Sequence, residues 1–253
     1  MSFDVAADAY DRFMGRYAVP LARPFADFAG VEPGQHVVDV GCGPGALTEE
    51  LVRRVGPDAV VAVDPSESFV ITLRERQPGV RVEVASAEAL PFAADTFDAA
   101  LAQLVVHFMS DPAAGLAEMT RVTRGDGVVA ACVWDFGSGR APLSLFWRAA
   151  RELDGAAPGE SALTGTREGQ LTELFTVAGL ERIEETGLEI ETEHATFEEW
   201  WEPYTFGVGP VGSYVGRLDE EGRTALRERC RALLPSAPFV VSARAWAARG
   251  RVS

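Results

Sequence analysis

Short apolar runs alternating with helix-like stretches set the rhythm of the first half of the chain. Phe13, Tyr17, Leu21 and Phe25 recur at helical spacing, so the first thirty residues read as a partly apolar helix. His36 to Val40 is then a β-branched run that stops at Gly41, and residues 46 to 54 return to a helical pattern: strand, glycine turn, helix. Ala59 to Val63 is a second apolar run ending at Asp64, followed by a helix from about Ser66 to Arg76. Val80 to Val84, Phe97 to Leu101 and Val128 to Val133 read as three further strands, with a helix near residues 113 to 122 before the last.

Beyond Trp134 the regularity loosens, with Gly137, Gly139, Pro142, Gly155, Pro158 and Gly159 punctuating helix-like pieces. Leu188 to Glu193 and Phe239 to Ala247 are the candidates for two last strands, and residues from about 196 to 233 between them read as a helical insertion placed to cover a site. Strands separated by helices predict a doubly wound, Rossmann-like α/β fold: a mostly parallel seven-stranded sheet with helices on both faces and a helical insertion near its C-terminal strands. With 253 residues, 47% of them hydrophobic, one substantial core is the expectation.

Composition narrows the partners. A net charge of −15 leaves little basic surface with which to neutralise phosphates, so nucleic acid and anionic membrane are not expected as partners. Cys42, Cys132 and Cys230 lie far apart, and the three histidines are scattered, so neither a disulfide framework nor a metal site is expected. The residues behind Met1 include Asp4, Asp8 and Asp11 and lack the pattern of a signal peptide, which fits a cytoplasmic protein. The chain contains no lysine, which excludes a phosphate-loop lysine or a Schiff base.

Asp39-Val40-Gly41-Cys42-Gly43-Pro44-Gly45-Ala46 sits between a predicted strand and helix, where glycines let the main chain turn sharply and approach a ligand. Asp64, at the tip of the second strand, is placed to accept hydrogen bonds from the two hydroxyls of a ribose. On these residues alone an NAD(P)-dependent oxidoreductase stays open, because Gly41, Gly43 and Ala46 also satisfy G-x-G-x-x-G/A with an acidic residue about 20 positions on.

Three further features separate the readings: Pro44-Gly45 completes G-C-G-P-G, Ala85-Ser86-Ala87-Glu88-Ala89-Leu90-Pro91-Phe92 follows the third strand, and Asp95-Thr96-Phe97-Asp98 opens the fourth. Together they resemble the class I S-adenosylmethionine-dependent methyltransferases, in their ubiquinone-biosynthesis-like small-molecule branch. The resemblance covers about residues 3 to 134 and implies S-adenosylmethionine as methyl donor, with S-adenosylhomocysteine as its product.

Carried over by position, it implies that Gly41, Cys42 and Gly43 line the methionine end, Asp64 holds the ribose, and Pro65 and Ser66 flank the adenine. The Ala87 N–H would meet an adenine ring nitrogen, within the Ser86-Ala87-Glu88 turn. Ser86 replaces the Asp common in the family, a weaker acceptor for the adenine amino group. Gln103, Leu104 and His107 fall beside the methionine arm, and Tyr10 and Arg16 match an N-terminal cap in which a tyrosine covers the cofactor and an arginine reaches its carboxylate. The chain is then one methyltransferase domain, 1–253: a helical cap (1–30), a cofactor-binding core (31–134) and a substrate-side half (135–253).

The sequence assigns no general base. His107 is the best candidate, because imidazole titrates near neutrality, yet it reads more readily as a histidine bonded in the turn or lining the cofactor; His194, Glu202 and Asp135 are weaker candidates. All five tryptophans lie in the second half, and Trp134, Trp147, Trp200, Trp201 and Tyr204 are the expected substrate-binding residues for a small, apolar or aromatic methyl acceptor, taken at an O, N or C atom. A non-catalytic binding module on the same scaffold is the remaining alternative.

Overall fold

The helical spacing of Phe13, Tyr17, Leu21 and Phe25 becomes α1 (Ala7–Tyr10), a π-helical turn (Asp11–Gly15) and α2 (Arg16–Ala29), with all four side chains buried. The segment stops at Gly30, whose φ of 73° is the left-handed conformation that a residue without Cβ adopts at low cost. This computed structural model describes residues 7–253, so the first six residues of the expected cap lie outside the described residues.

Seven strands follow: β1 (Val37–Val40), β2 (Val60–Asp64), β3 (Arg81–Val84), β4 (Phe97–Gln103), β5 (Thr123–Trp134), β6 (Glu181–His194) and β7 (Phe239–Arg251). They form one sheet in the order β3-β2-β1-β4-β5-β7-β6. β1 to β5 run parallel, and β7 lies antiparallel between β5 and β6.

Alternate residues of the strands feed two apolar layers. Val37 and Leu101 join the layer of α2, α3 (Ala46–Val55) and α4 (Glu67–Arg76). Val38, Val40, Val61 and Val63 join that of α5 (Pro112–Val122), which contributes Leu116 and Met119. With both faces covered, the parallel strands read as nearly continuous apolar runs, which is why the pattern located them.

The second half departs from the sequence reading at its strand bounds: β7 runs on to Arg251 rather than ending at Ala247. β6 begins at Glu181 rather than near Leu188, because it is an edge strand that carries Glu184, Glu185, Glu189, Glu191 and Glu193 and buries little besides Ile190 and His194. Charge on an edge strand blocks pairing with another chain, and it also hides the strand from an apolar-run criterion.

α6 (Ser144–Leu153) and α7 (Gln170–Val177) lie between β5 and β6, and α8 (Phe197–Trp201), α9 (Gly209–Arg217) and α10 (Glu220–Leu233) between β6 and β7. Thr196 caps α8 by accepting from the Glu199 N–H, and Asp219 caps α10 by accepting from that of Gly222. Among the described residues no helix is long and apolar enough to cross a membrane, and no group of three or more His, Cys, Asp or Glu is placed to hold a metal ion.

Candidate cofactor cleft and acceptor chamber

The chain winds from β1 outward through β2 to β3 and then returns to β4 on the other side of β1. Loops leaving the carboxyl ends of two strands diverge at such a reversal and leave a crevice. Gly41 and Gly43 line it from β1, Asp64 and Pro65 from β2, Ser86, Ala87 and Glu88 from β3, and Gln103 and Leu104 from β4. Tyr10 and Phe69, whose rings meet edge-on with centroids 5.2 Å apart, close one side. The cleft encloses about 380 Å3 of free space.

The glycine loop is held by the neighbouring strand. The N–H groups of Gly41 and Cys42 both donate to the Val63 carbonyl, at 2.8 and 2.9 Å. Gly41 and Gly43 have φ of 73° and 52°, conformations that L side chains rarely adopt. A Cβ at Gly41 would lie 2.5 Å from Val105 Cγ2, so that glycine serves packing. At Gly43 a Cβ would meet no atom within 4 Å, which leaves the main chain open to a ligand. Asp39, beneath the loop, accepts from Thr48 Oγ1 at 2.6 Å and ties β1 to α3.

Asp64 is buried, and its two carboxylate oxygens are already oriented: Oδ2 accepts from the Gly43 N–H at 2.9 Å and Oδ1 from the Ser66 N–H at 2.8 Å. Burial raises its pKa, and those two N–H groups work against the rise. Each oxygen retains a lone pair for a further donor. Across the cleft, Gln103 donates Nε2–H to the Ala18 carbonyl at 2.9 Å, while its buried Oε1 has no partner among the described residues. Ser86 donates its hydroxyl proton to Glu88, whose other oxygen accepts from the Ser110 N–H at 2.8 Å. The serine oxygen next to a carboxylate is thereby a better acceptor than an isolated hydroxyl.

Four of the residues expected at the cofactor lie outside the cleft lining: Arg16, Cys42, Ser66 and His107, the last on the wall of the neighbouring cavity. Arg16 donates to the carbonyls of Glu199 and Trp200, at 2.9 and 3.1 Å, so its guanidinium holds the C-terminal turn of α8 and does not line the cleft. Exposed carbonyls at a helix end attract a cation, and α8 competes successfully for this one. Cys42 is buried outside the lining, where burial and then Asp39 and Asp64 push its thiol well above the usual range. Ser66 contributes its main chain to Asp64 while its hydroxyl bonds to that of Ser68 at 2.9 Å.

Tyr10, Leu104 and Phe108 also line a second, small cavity with about 30 Å3 of free space, so this chamber adjoins the cleft. Leu104 stands at the junction with a φ of 64°, an uncommon conformation for a bulky residue, fixed by its N–H donating to the Cys132 carbonyl at 2.8 Å. The remaining walls are mainly apolar: Phe13, Met14, Trp134, Phe136, Leu143, Val208 and Pro210, with Gly209. Two polar side chains interrupt them, His107 and Glu160. Burial pushes the His107 imidazole down to about 3, so it is neutral at pH 7.

Of the five residues expected to bind substrate, the structure brings only Trp134 to this chamber. Trp147, Trp200, Trp201 and Tyr204 are buried in an aromatic cluster around Phe146, which joins α6 to α8; Trp200 and Tyr204 meet edge-on at 4.7 Å. Large rings bury more area against one another than at a cavity mouth, so packing claims them. The weaker candidates for a base are also engaged: Asp135 accepts from Arg244 Nε at 2.8 Å, Glu202 pairs with Arg12 at 2.6 Å, and His194 lies against Tyr17. Glu160 had no signal in the sequence, because it sits in an irregular stretch without a motif. A hydrogen bond from Trp147 Nε1, at 2.7 Å, orients its side chain.

Residues 38–131 match the family described as a methyltransferase domain. This part of the chain is a class I S-adenosylmethionine-dependent methyltransferase domain. Among curated relatives, the demethylmenaquinone methyltransferase of Renibacterium salmoninarum is 37% identical over 105 residues, 42% of this chain and 44% of that protein. The nocamycin O-methyltransferase of Saccharothrix syringae is 34% identical over 133 residues, 50% of this chain and 48% of that one. The matches thus span about half the length of these curated relatives or less.

The crystal structure of the geranyl diphosphate C-methyltransferase of Streptomyces coelicolor, a complex that includes S-adenosylhomocysteine, superposes on 91% of this chain and 78% of that one. Its TM-score is 0.53 at 16% identity, a likeness of fold.

The methyltransferase domain and the position of Arg16 make one prediction. Arg16→Met releases α8 and lowers stability by about 1–3 kcal/mol, the scale of a charged hydrogen bond. Affinity for S-adenosylhomocysteine then stays within threefold of the wild type by calorimetry. A tenfold loss with an unchanged melting temperature would place the guanidinium on the cofactor instead.

Proposed function

We propose that the chain transfers the methyl group of S-adenosylmethionine to a small, flat or apolar molecule held in the chamber beside Leu104. The observation that carries this reading is Asp64: a buried carboxylate, aligned by two main-chain N–H groups, faces a cleft beside the open main chain at Gly43. The residues present fit the cofactor. Asp64 would accept from the ribose hydroxyls, the Ala87 N–H and Ser86 hydroxyl would meet the adenine edge, and the unpartnered Gln103 Oε1 suits the ammonium of the methionine arm. Tyr10 would cover the cofactor from the cap.

Bound S-adenosylmethionine supplies a methyl group on a sulfonium, an already activated leaving group. The chain's contribution is therefore mainly alignment and exclusion of water. Leu104 and Phe108, shared by cleft and chamber, would set the approach, and the apolar walls would keep the acceptor dry. The relatives' names, a demethylmenaquinone methyltransferase and a nocamycin O-methyltransferase, fit an acceptor of this kind.

Isothermal titration of the full chain with S-adenosylhomocysteine, beside reduced nicotinamide dinucleotide, tests the proposal. Micromolar binding of the first and none of the second is expected. Binding of the dinucleotide alone would return the oxidoreductase reading, and no binding of either to folded protein would remove the cofactor assignment.

A further inference from the structure

We infer that Glu160 is the general base of the chamber, and that the chamber takes a neutral, flat methyl acceptor with an ionisable hydroxyl: a phenol or an enol. This rests on the methyl-transfer reading above. Glu160 is the carboxylate among the residues lining the chamber, it is 4% exposed, and its Oε2 is held by the Trp147 Nε1–H at 2.7 Å. It lines, on its other side, an outer groove with Arg148 and Arg151 of α6, which gives a proton a way out. The titratable and charged groups around it are therefore His107 and Tyr10 in the chamber and these two arginines in the groove, and Arg148 lies 3.8 Å from Glu152. Burial pushes the Glu160 carboxyl up to about 7, with the Trp147 bond working against the rise, so near neutrality it can both take and release a proton.

A second observation points to an oxygen-bearing ligand. The Trp134 Nε1 and His107 Nδ1 atoms belong to chamber-lining residues, are buried, and have no hydrogen-bond partner among the described residues. Buried polar atoms of this kind normally find one. A flat ligand with one or two oxygens would supply such partners on entering the chamber, whose free space of about 30 Å3 requires the side-chain walls to part for it.

Charge balance selects the neutral acceptor. The acceptor's O–H bond breaks and its proton goes to a Glu160 carboxylate oxygen; the freed electron pair forms the bond to the methyl carbon. The carbon–sulfur bond breaks, and its pair returns to sulfur. One carboxylate and one sulfonium become a neutral acid and a neutral thioether, so a chamber of low polarity favours the forward direction. An ammonium acceptor would instead place a second cation beside the sulfonium.

The test uses the full chain saturated with S-adenosylhomocysteine and two probes of one shape, 4-ethylphenol and 4-ethyltoluene, followed by ligand-observed NMR. The wild type at pH 8 is expected to bind the phenol at least tenfold more tightly, and this preference grows as pH rises from 6 to 8 while Glu160 ionises and the phenol stays neutral. Glu160→Gln, which keeps an oxygen for Trp147, reduces the preference below threefold at every pH and leaves S-adenosylhomocysteine affinity unchanged; Glu160→Asp restores part of it. Equal binding of the two probes, a preference that survives in Glu160→Gln, or no binding of either probe overturns the inference and leaves the cofactor reading intact. Failure of S-adenosylhomocysteine itself to bind overturns both.

Discussion

Asp64→Ala loses at least 100-fold in affinity for S-adenosylhomocysteine while the protein still unfolds cooperatively. Two hydrogen bonds from ribose hydroxyls to one carboxylate contribute about 1.5–3 kcal/mol each, and 1.4 kcal/mol is tenfold in affinity. The fold is expected to tolerate the change, because the carboxylate is buried against its own preference and serves only two main-chain donors, at Gly43 and Ser66, in the wall of an open cleft. Asp64→Asn separates charge from shape: it keeps the size and one acceptor oxygen, and its loss is intermediate. Calorimetry on both variants, with melting curves as control, reads the result. Affinity within threefold of the wild type in Asp64→Ala would refute the ribose assignment.

Glu160→Gln stabilises the protein at alkaline pH and does little under acid conditions. A buried carboxyl that titrates at about 7 instead of 4.5 is protonated in the folded chain over a range where the unfolded chain has lost the proton. Its contribution is favourable below pH 4.5, declines as pH rises towards 7, and is lost above that. At 1.36 kcal/mol per pH unit the wild type is penalised by about 3 kcal/mol at pH 8, which for a chain of this size corresponds to roughly 6 °C in melting temperature. The melting temperature of Glu160→Gln should therefore exceed that of the wild type by about that much at pH 8, with the gap closing towards pH 5. A gap that is constant with pH would mean that Glu160 is ionised or neutral throughout. A group retained at such a cost sits where function is the reason, as at many sites that depart from local stability.

The parts of the molecule that were legible in the sequence are those fixed by local rules. β1, β2 and β4 are buried on both faces and read as apolar runs, and the positive φ of Gly41 and Gly43 demands the residues that made the loop visible. Asp64 could be placed because a strand end is one residue from its turn. β6 was half hidden, because most of its glutamates, Glu185 excepted, face solvent along an edge. Arg16 and the aromatic residues Trp147, Trp200, Trp201 and Tyr204 were misplaced for one reason: their partners lie on elements remote in sequence, and composition cannot tell an aromatic cluster between helices from an aromatic cavity wall. Glu160 is the converse case, a carboxylate in an irregular stretch that packing carries into the chamber.

A crystal structure of the full chain with S-adenosylhomocysteine bound measures the central claim directly. Both ribose hydroxyls should lie within hydrogen-bond distance of the Asp64 carboxylate, the amino acid arm beside Gly43 and Gln103, and the sulfur facing the chamber of Glu160. A ligand bound away from the ends of β1 and β2, or a cleft that stays empty after saturating soaks, would contradict the account.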